Sequence, residues 1–149
     1  MKIALGSDHG GFTLKNQIIK HLESKSIDIK DFGTHSEDSC DYSDYALKVA
    51  QQVVLENFDL GILICGTGIG IGIAANKVPG IRAALCSDTF SAHSTREHNN
   101  ANILTLGARV IGIGLALDIV DAFINAKFQG ERHQKRIDKI TEIEKKYSK

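Results

Sequence analysis

The most constraining feature of the sequence is the unbroken apolar run Leu60–Cys65 (LGILIC), which leads directly into a glycine-rich segment. Continuous apolar character is typical of a strand that is covered on both faces. Such strands occur in parallel sheets, whose two faces are both packed against helices. The run therefore predicts the central strand of a parallel sheet.

Short apolar segments alternate with segments of helical periodicity along the chain, whose 149 residues suit one domain over 1–149. Strands are predicted at Lys2–Gly6, Ile27–Phe32, Leu60–Cys65, Arg82–Cys86 and Ile103–Leu106. Helices are predicted at Gly11–Lys25, Asp44–Glu56, Ile71–Lys77, from an N-cap at Ser87 to His98, at Gly114–Ala126 and at Glu131–Tyr147. This alternation predicts a Rossmann-like α/β fold, a three-layer α/β/α sandwich around a five-stranded parallel sheet, with an extended C-terminal helix.

The composition argues against several classes of function. Lys and Arg together number 18 and so do Asp and Glu, so the chain lacks the basic excess of a nucleic-acid-binding domain. The cysteines Cys40, Cys65 and Cys86 have no close C-x-x-C spacing, which argues against a disulfide framework and a zinc site. No targeting segment or bilayer-length apolar run is visible, so we expect a cytoplasmic protein that does not use a membrane.

A glycine stands at every second position from Gly66 to Gly72, directly after the central strand. Glycine lets the backbone bend and brings N–H groups close to a ligand, and a following helix N-terminus favours an anion. The spacing matches neither a Walker A loop nor the dinucleotide pattern G-x-G-x-x-G. The segment predicts an anion-binding loop, and a tight strand-to-helix turn is the alternative.

Three segments could carry acid–base or nucleophilic chemistry. Cys65 stands at the mouth of the glycine loop, where helix N-termini and cations favour a thiolate, and a buried inert thiol is the alternative. Asp8 and His9 follow the first strand, and the segment His98–Asn100 ends a helix. We expect both segments to lie at, or to reach, the carboxyl edge of the sheet, where ligands bind in such folds. For the His98 segment, a helix C-cap is the alternative.

Arginines form a local basic cluster within a neutral chain. Arg132 and Arg136 share one face of the last predicted helix because they are four residues apart, and Arg109 follows the fifth strand. Guanidinium groups arranged in this way suit a phosphate, and surface ion pairs with neighbours such as Glu131 are the alternative.

Taken together, these segments resemble the type B ribose-5-phosphate isomerases of the ribose/galactose isomerase family. The resemblance covers essentially the whole chain, and its motifs are short but occur jointly and in order. They are G-S-D-H-G-G at Gly6–Gly11, D-Y-S-D-Y-A at Asp41–Ala46, C-G-T-G-I-G at Cys65–Gly70, A-A-N-K at Ala74–Lys77, H-N-N-A-N at His98–Asn102 and R-H-Q-K-R at Arg132–Arg136.

The resemblance implies an aldose–ketose isomerase of the pentose phosphate pathway, which interconverts ribose 5-phosphate and ribulose 5-phosphate through an enediolate without metal or cofactor. It implies that Cys65 is the base that moves a proton between C1 and C2, and that Thr67 helps to move protons among the oxygens. The amides of the Gly66–Gly70 loop would form the anion hole. His98 would open the furanose ring, with Asp8 near the ring oxygen. The loop residues concerned are Gly66, Thr67, Gly68, Ile69 and Gly70.

The resemblance also implies a homodimer, or dimers paired into a tetramer, with composite active sites. The last helix, over about 131–147, is highly charged with a narrow apolar stripe, which is typical either of a solvated surface helix or of a helix that packs on the partner subunit, and we expect the second. Asn99 would contact the sugar and Tyr42 would line the site. The phosphate ligands would be His9, Arg109, Arg132 and Arg136, the last two reaching in from the other subunit.

Several alternatives to a cysteine-dependent ribose-5-phosphate isomerase are close to this sequence. One branch of the family uses a glutamate base where Ile71 stands, so Ile71 together with Cys65 indicates the cysteine branch. Ser43 and Gly72 depart from the commonest pattern, which has proline and serine there, and neither carries an implied role. Galactose-6-phosphate isomerase divides the motifs between two subunit types, whereas this chain has them all, and allose 6-phosphate is another possible substrate. A non-catalytic phosphosugar-binding regulator would need neither Cys65 nor His98.

Overall fold

The computed structural model describes residues 1–148, which form one parallel sheet flanked by helices. The strands are β1 (Lys2–Ser7), β2 (Asp28–Asp31), β3 (Leu60–Cys65), β4 (Ala83–Leu85) and β5 (Ile103–Gly107). The helices are α1 (Phe12–Ser24), α2 (Tyr42–Val54), α3 (Ile69–Ala75), α4 (Thr89–Asn99), α5 (Ile113–Asn125) and α6 (Arg132–Tyr147), with a short 3-10 turn at His9–Gly11. Each predicted strand and helix is present, with ends displaced by a few residues.

The sheet has the strand order β2-β1-β3-β5-β4, and every neighbouring pair is parallel. The five-stranded parallel sheet predicted from the sequence is therefore confirmed. All six residues of β3 are buried, as the apolar run predicted for a central strand. The chain moves from β1 outward to β2 and then returns to the other side of β1, so the strand order reverses between β1 and β3. In folds of this type the crevice at such a reversal is where ligands bind.

Two separate apolar cores give the fold its three layers. On one face of the sheet, α1, α4 and α5 pack against side chains such as Leu5, Ile62 and Leu104. On the other face, α2 and α3 pack against alternate residues of the same strands, among them Leu63 and Cys65. Alternation of side chains between the two faces of each strand explains this division. The three-layer prediction is confirmed.

The last helix, α6, is long and only partly covered by its own chain. Its buried side chains are His133 and Ile137, and it contacts α4. Near its end, the Glu144 carboxylate accepts a hydrogen bond from the Gly80 amide at 3.1 Å. One residue earlier in the helix, Ile143 is 60% exposed in the isolated chain. The predicted extended helix is present, and its packing on a partner subunit stays a prediction.

Two local predictions are wrong. Ser87 is not the N-cap of α4, because Asp88 holds that position and its carboxylate accepts the Ser91 amide at 2.7 Å. Hydrogen bonds from the Ser91 amide and hydroxyl lower the pKa of the Asp88 carboxyl. Helix α3 begins at Ile69 rather than Ile71, so part of the glycine loop is helical. Within residues 1–148, no helix is both long and apolar enough to span a bilayer.

Candidate active site

One group of predicted site residues meets at the carboxyl edge of the sheet. Asp8 and His9 follow β1, the Cys65–Gly70 loop follows β3, and Arg109 follows β5. Tyr42 begins α2 and lies over the same loop. We call this set of residues the carboxyl-edge cluster. It occupies the crevice between β1 and β3, where the strand order reverses.

The Cys65 thiol is held by the loop that follows it. The Gly68 amide donates to the Cys65 Sγ atom at 3.1 Å, and the cysteine side chain is 4% exposed. A donor at this position stabilises negative charge on the sulfur. The Gly68 backbone has a φ of +75°, and a Cβ atom there would lie 2.7 Å from the Leu106 carbonyl carbon. Glycine is therefore required at position 68, and the amide that faces the sulfur depends on it.

The loop leaves backbone donors available for an anion. Among residues 1–148, the amides of Gly66 and Thr67 have no hydrogen-bond acceptor, whereas the Ile69 amide donates to the Thr67 hydroxyl at 3.3 Å. Helix α3 has seven residues, so its dipole is small and the loop amides are the main donors. The segment makes a tight turn and also exposes free N–H groups, so the turn and the anion-binding loop are compatible.

Arg109 places a positive charge directly beside these amides. Its own amide donates to the Gly66 carbonyl at 2.9 Å, which ties the arginine to the loop. A Cβ atom at position 66 would lie 3.2 Å from Arg109 Nη1, and one at Gly10 would lie 3.6 Å from Nη2. The guanidinium therefore lies across both glycines. Within residues 1–148 it forms no ion pair, so its charge is available to a ligand.

Asp8 and His9 are each oriented by a backbone amide. An Asp8 carboxylate oxygen accepts the Gly11 amide at 3.1 Å, which caps the 3-10 turn. The Cys40 amide donates to His9 Nδ1 at 3.2 Å. Because an amide N–H can only donate, Nδ1 carries a lone pair and the proton of the neutral imidazole is on Nε2. His9 can therefore donate from Nε2 to an anion. The sequence assigned no role to Cys40, since no local pattern links it to position 9.

The Tyr42 ring covers Gly70 at the far side of the loop. A Cβ atom on Gly70 would lie 2.8 Å from Tyr42 Cζ, so only glycine leaves room for the ring. Tyr42 is 44% exposed, which leaves its phenol able to meet a ligand. Gly72, one of the two departures from the family pattern, packs against Thr105, whose hydroxyl donates to the Gly68 carbonyl at 2.8 Å.

The His98 segment lies at the opposite edge of the sheet, so the prediction that it reaches the carboxyl edge is wrong. Helix α4 starts beyond the carboxyl end of β4 and must return to the amino end of β5. Its 11 residues rise about 16 Å along that path. The Asn102 amide then donates to the Arg82 carbonyl at 3.1 Å, at the amino ends of the strands. The C-cap is Asn100, with a φ of 45°, so His98 and Asn99 do not hold that position.

A second cluster surrounds His98 at the amino edge. The His133 ring of α6 stacks on the His98 ring, with centroids 4.5 Å apart and planes at 10°. Arg132 and Arg136 flank His133 on α6, are exposed, and form no ion pair among residues 1–148, so the surface ion-pair alternative is not what the structure contains. Burial, together with the charges of Arg132, His98 and Arg136, lowers the pKa of His133. We call His98, Asn99, Arg132, His133 and Arg136 the amino-edge cluster.

The sequence and structure comparisons with known proteins match segments that contain both clusters. A family profile described as Ribose/Galactose Isomerase matches residues 3–140. The chain is 50% identical over 145 residues to ribose-5-phosphate isomerase B of Escherichia coli, across 97% of both chains. The structure of ribose-5-phosphate isomerase B from Clostridium thermocellum has a TM-score of 0.98 and 59% identity, covering 99% of this chain and 100% of that one. The Mycoplasma genitalium enzyme of the same name, with ribulose-5-phosphate bound, has a TM-score of 0.92 and 46% identity, covering 97% and 96%.

Proposed function

The chain belongs to the ribose/galactose isomerase family, and on this premise we propose that it interconverts D-ribose 5-phosphate and D-ribulose 5-phosphate. A relative that is 50% identical carries the name of that isomerase, and a similar structure holds ribulose-5-phosphate. The observation that carries the proposal is the carboxyl-edge cluster, in which a thiol, free loop amides and an unpaired arginine share one crevice.

In the proposed mechanism Cys65 is the base. Its thiolate removes the C2 proton of the open-chain aldose, and the electrons of the C–H bond form the C1=C2 double bond of an enediolate. The negative charge that develops on O1 is stabilised by the free amides of Gly66 and Thr67. The Thr67 hydroxyl helps to carry a proton from O2 to O1, and Cys65 returns its proton to C1. The products are a C2 ketone and a C1 alcohol, and the cysteine is regenerated.

Phosphate binding at the carboxyl edge is assigned to His9 and Arg109. The Nε2–H of His9 donates to a phosphate oxygen because Nδ1 already accepts the Cys40 amide. Arg109 supplies a charged fork beside Gly66. Tyr42, which covers Gly70, lines the sugar pocket. Neither the proposed isomerisation nor the proposed phosphate binding requires a metal ion or cofactor. Turnover is therefore expected to persist after treatment with a chelator.

We infer that the amino-edge cluster acts on the crevice of another chain. Helix α4 separates His98 from the carboxyl edge by about 16 Å, which is longer than a five-carbon sugar phosphate. We therefore propose a homodimer, or two such dimers paired into a tetramer, in which Asn99, Arg132 and Arg136 of one chain complete the carboxyl-edge cluster of another. Large apolar side chains close to that edge support a covered face, because Ile73, Leu85 and Phe90 are 59%, 44% and 71% exposed.

Ring opening is assigned to His98 together with Asp8 of the facing chain. His98 accepts the O1 proton while the C1–O4 bond breaks and C1=O1 forms, and the imidazolium returns a proton to O4 near Asp8. An imidazole suits this exchange because one nitrogen can accept a proton while the other can donate one. The free thiols of the chain suit a reducing compartment, so the proposed location is the cytoplasm, in the pentose phosphate pathway.

The experiment that tests the proposal measures isomerisation of ribose 5-phosphate, allose 6-phosphate and galactose 6-phosphate in parallel. Ribose 5-phosphate is expected to be the best substrate. Cys65→Ala is expected to reduce kcat by about 100-fold or more while sugar-phosphate binding persists. Cys86→Ala is the matched control, because burial raises the pKa of that thiol to about 11 and it is outside the proposed site.

Two results would overturn the assignment. Full turnover by Cys65→Ala would exclude the thiol as the base. Binding of sugar phosphates by the unmodified protein without turnover of any of the three would instead favour a phosphosugar-binding regulator.

A further inference from the structure

His98 is held in an unusual way for an acid–base histidine. Among residues 1–148, no backbone or side-chain group hydrogen-bonds to its ring, so the carboxylate that often orients a catalytic imidazole is lacking. The ring contact that the structure does contain is the parallel stack on His133, at 4.5 Å between centroids. The plane of His98 is therefore set by a neighbouring ring face.

His133 is itself firmly placed. It is 4% exposed, and Ile137, one helical turn further along α6, is 5% exposed. These two residues form the buried face of α6, which packs on α4. Because α4 carries His98, the stack joins two helices that are already in contact. The His133 ring has little freedom to move away from His98.

The nitrogen atoms of His133 do not explain its burial. Its Nε2 atom is buried and has no hydrogen-bond partner among the described residues. Burial and the charges of Arg132, His98 and Arg136 lower the pKa of His133, against the opposing charge of Glu131. A neutral ring here avoids adding a third positive charge beside the two arginines. What His133 supplies to its surroundings is a flat, uncharged face.

We propose that His133 is a positioning residue, whose stacked ring holds the His98 imidazole in the plane required to open the sugar ring. The inference rests on the proposed function, because ring opening by His98 belongs to it. A carboxylate partner would occupy one ring nitrogen of His98, whereas a stack leaves both nitrogens free for the sugar oxygens. During ring opening His98 becomes an imidazolium and then returns the proton, and a neutral neighbour does not oppose that transient charge.

The experiment compares a cyclic substrate with one that cannot cyclise to a furanose. Ribose 5-phosphate must be opened, whereas 4-deoxyribose 5-phosphate lacks the O4 hydroxyl that closes the furanose. His133→Ala is expected to lower kcat for ribose 5-phosphate by about 10- to 100-fold, since small misplacements of a reacting group cost that much. The rate with 4-deoxyribose 5-phosphate is expected to change by less than about 3-fold. His133→Phe keeps a planar ring and is expected to restore most of the lost rate.

Matched variants separate the possible outcomes. Lys139→Ala, on an exposed position of the same helix, is expected to leave both rates unchanged. His98→Ala is measured with both substrates, and if it slows them equally, the ring-opening role in the proposed function is wrong. If His98→Ala separates the substrates but His133→Ala does not, only the positioning role is overturned.

The contribution of the planar ring at position 133 is tested by comparing His133→Phe with His133→Ala. If His133→Phe is as slow as His133→Ala on ribose 5-phosphate, stacking is not the cause. Melting curves accompany each variant, and if His133→Ala does not fold, the pair His133→Phe and His133→Leu makes the same comparison between a flat and a non-planar side chain.

Discussion

A complementation experiment tests whether the two edge clusters meet across a dimer. One chain carries Cys65→Ala and the other carries Arg132→Ala with Arg136→Ala, and each homodimer is expected to be nearly inactive. In a heterodimer, one site combines both defects and the other combines intact halves. Each heterodimer then has one working site of two.

The activity that a mixture of the two variants should recover follows from how the chains pair into dimers. The rise of α4 places His98 about 16 Å along the sheet from the carboxyl edge of its own chain, and the proposed composite site rests on this separation. Random pairing of equal amounts of two chains makes half of the dimers heterodimers, so the mixture is expected to recover about a quarter of normal activity. Heterodimers purified by two different affinity tags are expected to show about half of normal activity.

The assay is the conversion of ribose 5-phosphate by co-expressed, doubly purified heterodimers. His9→Ala paired with Cys65→Ala is the control, because both changes fall in the carboxyl-edge cluster and every heterodimer site then carries one defect. No rescue is expected from that pair. If the first pair also fails to recover activity in verified heterodimers, the composite site is refuted.

Three further outcomes are expected from single substitutions. Lys15→Ala is expected to lower the free energy of unfolding by about 3 kcal/mol in urea titrations, because the partly buried Asp31 carboxylate loses the fully buried ammonium group 2.5 Å away. A change below about 1 kcal/mol would contradict this. Gly68→Ala is expected to cost about 1–2 kcal/mol for the φ of +75° alone, and more because its Cβ atom would meet the Leu106 backbone, so we expect a lower kcat with a smaller effect on KM. Unchanged kinetics would show that the loop amide is not needed. Cys40→Pro removes the amide that fixes His9 and is expected to raise KM, whereas Cys40→Ala keeps that amide and is expected to leave KM unchanged; equal KM values would show that the contact does not orient His9.

The sequence predicted the sheet and its layers well because those depend on local patterns. The run at Leu60–Cys65 has the same bounds in the structure, since a strand buried on both faces needs apolar residues at every position. The helix ends were less accurate, because capping depends on which side chain reaches the first free amides. Asp88 does this in place of Ser87, and one residue of difference in the backbone decides between them.

The candidate site could be predicted only in its carboxyl-edge half. Strand ends indicate that half directly, because parallel strands all end at one edge. The error at His98 arose from its place in the helix. A helix between two parallel strands runs back along the sheet, so a residue at its end lies at the amino edge. Spacing alone pairs Arg132 with Arg136, whereas no local pattern indicates a role for His133, because the ring that it contacts is on another helix.

By itself, the amino-acid sequence determined the parallel α/β fold, the glycine loop after the central strand and the family to which the chain belongs. These follow from periodicity, from backbone freedom at glycine and from short motifs, all of which are local. Only the tertiary structure decided which side chains share a crevice. It separated His98 from Cys65 by the length of a helix, set the Cys40 amide against His9 and stacked His133 on His98. Such contacts depend on the direction and packing of elements that are distant in the chain, and no local pattern encodes them.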